Sequence, residues 1–105
     1  MADHADQPLR SAFSDDPEMQ HLLQLFVEEL PQHIDELCEA LNDESLDDAQ
    51  RIAHQLKGAG AGYGFAPISE AASDLEAALT ASVAEANAIR QALDALVDCC
   101  TRVIA

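Results

Sequence analysis

Between Met19 and Leu41 the chain places apolar residues at Met19, Leu22, Leu23, Phe26, Leu30, Ile34, Leu37 and Leu41. Steps of one, three and four residues draw one stripe along a 3.6-residue helix, and no strand period fits them. Such a helix gains little by standing alone. It must press its stripe against other helices. Pro31 lies inside the stripe. It predicts either one kinked helix or two helices meeting near residue 31, and the unbroken phase favours the kink. Asp16 followed by Pro17 predicts the start, with a carboxylate at N-cap and proline at the first helical position.

The rest of the chain repeats this grammar. Ser45 and Asp48 have capping-box spacing and open a second helix. Its inward residues are expected to be Ala49, Ile52, Ala53, Leu56, Gly60 and Tyr63, and Gly64 is its expected stop. Pro67 is expected at the first position of a third helix, whose apolar face is Ile68, Ala71, Ala72, Leu75, Ala78 and Leu79. Ser82 and Glu85 form another capping-box pair. A fourth helix is expected to bury Ala86, Ile89, Leu93, Leu96 or Val97, Cys100 and Ile104. Short connections force neighbouring helices to be antiparallel. The predicted fold is all-α: an antiparallel up-down four-helix bundle over residues 16–105, with a kinked first helix. Residues 1–15 are expected to form a short, partly ordered N-terminal extension, in which Leu9 and Phe13 are spaced for one helical turn, with disorder the alternative.

Composition narrows the partners. The 105 residues carry a formal net charge of −15, with only five Lys or Arg. Phosphate backbones and anionic lipid would repel such a surface, so nucleic acid and membrane are poor partners. No apolar run reaches membrane-spanning length, and the polar, acidic N-terminus does not read as a signal peptide. Cys38, Cys99 and Cys100 are odd in number and two are adjacent. That pattern argues against a disulfide framework and for a reducing cytoplasm.

All four glycines fall in one short stretch, at Gly58, Gly60, Gly62 and Gly64. The residues before them, from Asp47 to Leu56, are good helix formers. A glycine inside a helix costs about 1 kcal/mol relative to alanine, so the missing side chains must serve a purpose. His54, Lys57 and Gly58 share one helix face. An imidazole, a cation beside it and bare backbone next to both suit chemistry on a phosphoryl group delivered by another protein. With a turn near residues 64–67, Glu76 comes level with His54 in an antiparallel pair. A carboxylate there can accept Nδ1–H and leave Nε2 as nucleophile.

Other chemistries fit less well. The glycines lack the spacing of a dinucleotide fingerprint, and Lys57 precedes the first glycine, where a phosphate-binding loop needs lysine after the last. Glu18 and His21 have a di-metal spacing, but that design needs the motif twice and further carboxylates. Cys99–Cys100 lacks the gap of a zinc clip. The plain alternatives are an exposed surface histidine at 54 and a solvated helix-face acid at 76.

The run His54-Gln55-Leu56-Lys57-Gly58-Ala59 resembles the His-x-Leu-Lys-Gly-Ser/Ala signature of histidine phosphotransfer (HPt) domains. Phe26-Val27-Glu28-Glu29-Leu30-Pro31, Tyr63-Gly64-Phe65 and Asp74-Leu75-Glu76 are similar to other parts of that family, over about residues 16–104. The resemblance implies a phosphocarrier of a two-component phosphorelay rather than a classical enzyme. His54 would accept a phosphoryl group from a receiver-domain aspartyl phosphate and pass it to another receiver. Lys57 would stabilise the phosphorylated ring, Glu76 would orient it, and Gly58 with Ala61 would form the docking surface. The implied partners are response-regulator receiver domains and a hybrid or sensor histidine kinase. No cofactor is expected on this chain, and magnesium is expected on the partner receiver. A free-standing cytoplasmic monomer is the expected form. Thr80 stands where some members carry a further basic residue, and Ala59 and Gly60 stand where serine is frequent. The alternative is a non-catalytic helical adaptor or inhibitor that binds receivers or a kinase through the same face.

Overall fold

In the computed structural model, which describes residues 8–81 and 85–104, the apolar stripe becomes one helix, α1 (Gln20–Asn42), running uninterrupted through the exposed Pro31. Leu23, Phe26, Leu30, Leu37 and Ala40 form its buried edge. The helix begins later than Asp16-Pro17 predicts. Asp16 does cap, but it caps a separate turn: its Oδ1 accepts the Glu18 N–H at 3.0 Å and its carbonyl accepts the Met19 N–H at 3.0 Å. The first helical bond is then Leu23 N–H to the Met19 carbonyl. Leu22, expected in the stripe, is 43% exposed, because the buried phase runs through Leu23 and Phe26.

A turn of three residues leads to α2 (Leu46–Gly62). Here the chain uses Glu44 at φ 59° as the left-handed residue that closes α1. The Ser45 N–H reaches back to the Ala40 carbonyl at 2.8 Å, and the Glu44 N–H to Leu41 at 3.1 Å, the paired bonds of a Schellman cap. The expected Ser45 cap is not made. Its hydroxyl bonds the Asp48 carboxylate at 2.8 Å instead of a backbone N–H.

The α2–α3 turn repeats the cap with glycine. Gly64 takes φ 78°, Phe65 N–H bonds the Gly60 carbonyl at 2.8 Å, and Gly64 N–H bonds Ala61 at 3.3 Å. Then α3 (Ala66–Thr80) begins, with Pro67 at its second position rather than its first. Ile68, Ala71, Ala72, Leu75 and Leu79 are its buried residues, and Ala78 is only half-buried. Gly60 lies against the first turn of α3. A Cβ built there would stand 2.9 Å from the Ser69 backbone nitrogen and 3.2 Å from Ile68 Cγ2. At Gly58 and Gly62 the same construction meets nothing within 4 Å.

The last helix is α4 (Ala86–Arg102), which packs mainly on α3. Its only fully buried residue is Leu96; Ile89, Leu93, Val97 and Cys100 are half-buried, and Ala86 is exposed rather than inward. The expected cap at Ser82 lies outside the described residues. The helix ends before Ile104. Leu9–Arg10 (β1) and Val103–Ile104 (β2) instead pair as a two-residue parallel ladder, Leu9 with Val103 and Arg10 with Ile104. The helical turn that the Leu9 and Phe13 spacing would allow is therefore absent. Leu9 is in the ladder, and residues 12–15 form turns. The core of the described residues is one cluster that includes Phe26, Phe65, Leu30, Leu75 and Leu96. Phe26 stacks on both Tyr63 and Phe65, with ring centroids 4.8 and 5.6 Å apart. No helix among the described residues is long and apolar enough to cross a membrane.

The glycines predict opposite stability effects. Gly58→Ala should stabilise by about 1 kcal/mol through helix propensity, raising the melting temperature by a few degrees. Gly60→Ala should destabilise by about 1–3 kcal/mol, because the added methyl meets backbone that cannot yield cheaply. Thermal unfolding of both variants, followed by circular dichroism, checks the pair.

Candidate functional site

The short Gly64 turn folds α3 back along α2. Gly60 meets Ser69, and His54 meets Glu76, so sequence numbers rise along one helix as they fall along the other. This places the imidazole of His54, 70% exposed, beside the carboxylate of Glu76, which is 19% exposed. His54 Nδ1 and Glu76 Oε2 are 3.0 Å apart. An ionised carboxylate only accepts hydrogen bonds, so the proton in this contact belongs to Nδ1. In the neutral ring Nε2 then carries the free lone pair. Nε2 has no hydrogen-bond partner among the described residues.

Lys57 completes the group in a way the sequence did not suggest. It was expected beside the imidazole alone. Its Nζ lies 3.8 Å from Glu76 Oε1, so one carboxylate holds the histidine with one oxygen and attracts the lysine with the other. The lysine is 45% exposed, and solvent screens that attraction heavily. The ammonium is thus kept near the ring without being locked in place. Thr80 donates its hydroxyl to the Glu76 carbonyl at 3.0 Å, which engages the backbone of α3 and leaves the carboxylate alone.

Gly58 is exposed one turn beyond His54, and Ala61 is exposed farther along the same face. Gly58 has no packing partner that a methyl group would disturb. The fold therefore does not require glycine there, although helix propensity penalises it. The bare surface continues to Gly62, which is equally open.

Sequence reasoning missed what flanks this strip. Among the described residues, the exposed large hydrophobics are Phe13, Leu22, Leu25 and Leu46. Leu22 and Leu25 edge a groove between α1 and α2 that also takes in Ala59 and Tyr63, with a volume of about 270 Å³. Phe13 edges the other side, beside Ala61 and Gly64. A signal for Leu25 was present, since it stands outside the stripe phase. No signal distinguished Leu22 from its buried neighbour Leu23.

Two of the three thiols are poorly suited to act as nucleophiles. Cys38, Cys99 and Cys100 are free. Burial pushes the Cys100 thiol up to about 12. Burial also raises Cys99, outweighing the opposing pull of Arg102. Both thiols stay protonated near neutral pH.

The site is therefore an exposed imidazole with a defined tautomer, an adjacent cation and an unobstructed approach. No curated protein and no solved structure gives a significant match to the chain. The sequence model of one family, the Hpt domain, matches residues 21–105, which include His54, Lys57, Gly58 and Glu76. That match spans most of the chain and takes in the four helices of the described residues, and the chain belongs to the Hpt domain family.

Proposed function

We propose that this Hpt domain is the phosphocarrier of a two-component phosphorelay, taking a phosphoryl group from the aspartyl phosphate of one receiver domain and delivering it to the aspartate of another. The observation that carries this reading is the exposed His54 ring, bonded to Glu76 through Nδ1 and unpartnered at Nε2. In the forward step the Nε2 lone pair forms the new N–P bond. The P–O bond to the receiver aspartate breaks, and that aspartate leaves as carboxylate. Nδ1 keeps its proton throughout, so the ring becomes cationic, and the Glu76 carboxylate faces the charge as it develops. The reverse step returns the N–P electron pair to the ring and restores the neutral imidazole.

Phosphoryl transfer through a loose transition state asks chiefly for alignment and charge compensation. Lys57 supplies compensation by turning from Glu76 to the phosphoryl oxygens. Magnesium and the remaining catalytic groups belong to the receiver. Gly58 and Ala61 let the receiver's backbone approach the helix. The cytoplasm, where receivers and the kinase's catalytic parts reside, is the proposed compartment.

Incubation with phosphorylated receiver domains from the same cell, followed by mapping of acid-labile phosphate, tests the reading. Label should appear on His54 and vanish in His54→Gln. A protein that binds receivers but never becomes labelled would be an adaptor instead.

Substitutions at three positions extend the test. Lys57→Ala should slow transfer by about 10–100-fold, equivalent to roughly 1–3 kcal/mol of lost charge stabilisation, while leaving the melting temperature almost unchanged. Glu76→Gln keeps an acceptor for Nδ1–H and should slow transfer less than Glu76→Ala does. Equal rates in both Glu76 variants would remove the orienting role. Gly58→Ala, although more stable, should transfer more slowly, as read from receiver-dependent labelling rates.

A further inference from the structure

Residues 8–16 lie outside the family match, yet they are held to the bundle at three points. Leu9 pairs with Val103 in the β1–β2 ladder. The Ser11 hydroxyl, 4% exposed, donates to the Tyr63 carbonyl and accepts the Phe13 N–H at 2.9 Å. The Ala12 N–H bonds the Gly64 carbonyl at 2.9 Å. This strap crosses the α2–α3 turn so closely that a Cβ on Gly64 would stand 2.9 Å from Phe13 Cδ2. Every anchor is satisfied, but the aromatic ring the strap carries is 40% exposed. It edges an open groove with Ala61, Ser69 and Glu70.

From the phosphotransfer reading above, we propose that the strap supplies Phe13 as a partner-selecting edge of the docking surface, its occupant being an apolar face of the receiver domain. Ala61 lies about 10 Å along α2 from His54, at 1.5 Å per residue. A specific interface covers about 800 Å² on each partner, a disc about 16 Å in radius. A receiver seated on His54 therefore covers Ala61, which shares a groove with Phe13. Leu22 and Leu25 bound the opposite side of the same bare strip. A ring already ordered by the strap loses little conformational freedom on docking, which favours its use as an anchor. A second copy of this chain is the poorer occupant, since two surfaces of formal charge −15 repel.

The test uses receiver domains phosphorylated with acetyl phosphate and measures initial labelling of His54 against receiver concentration. Phe13→Ala should raise the half-saturating concentration about tenfold and leave the saturated rate within about twofold. Phe13→Leu, which keeps an apolar edge, should recover most of the loss. An unchanged half-saturating concentration in Phe13→Ala overturns the strap's role alone. A rise in both variants accompanied by lost helicity makes Phe13 a structural residue and overturns it as well. Failure of every receiver to label the wild-type protein contradicts the phosphotransfer reading, and the strap's role with it.

Discussion

The approach of α2 to α3 at Gly60 governs what the rest of the molecule can do. A methyl group there would meet the Ser69 backbone, so only glycine permits the spacing. The Gly64 cap at φ 78° starts the return path, and the buried Phe65 side chain seals it against Phe26. Six residues before Gly60, that spacing lets a side chain on one helix hydrogen-bond directly to a side chain on the other. The His54–Glu76 contact at 3.0 Å depends on that backbone packing, which brings the two side chains within reach of each other.

Each component of the site has a separate physical task. Glu76 is mostly covered by its neighbours, so its carboxylate is positioned while its charge still reaches His54 and Lys57. His54 is largely in water, where a macromolecular partner can reach it. The two kinds of glycine divide in the same way. Gly60 and Gly64 are demanded by the fold, whereas Gly58 and Gly62 contact nothing and weaken the helix that holds them. A helix that retains such residues beside an exposed imidazole gives up stability for access, a trade expected at functional surfaces.

Much of this was legible in the residues. The stripe through Leu23, Phe26, Leu30 and Leu37, the stop at Gly64 and the apolar face of α3 follow from helical periodicity and capping chemistry. The level placement of His54 and Glu76 followed from counting outward from the turn. What escaped was non-local or competitive. Nothing local marks Leu9 as the partner of Val103, nearly a full chain length away. Ser11 looks like any loop serine until its hydroxyl is found under the α2–α3 turn. At Ser45 the hydroxyl had two acceptable partners and took the Asp48 carboxylate, which the spacing alone could not decide. The Lys57 contact with Glu76 depends on the distance between two helices, which periodicity does not report.

The account rests on which imidazole nitrogen is free. Long-range proton–nitrogen NMR of His54, before and after phosphorylation by a receiver, addresses it directly. The neutral protein should show the proton on Nδ1 and an unprotonated Nε2, and the phosphorylated protein should show phosphorus bonded to Nε2. A proton on Nε2 in the neutral ring, or phosphorus on Nδ1, would contradict it.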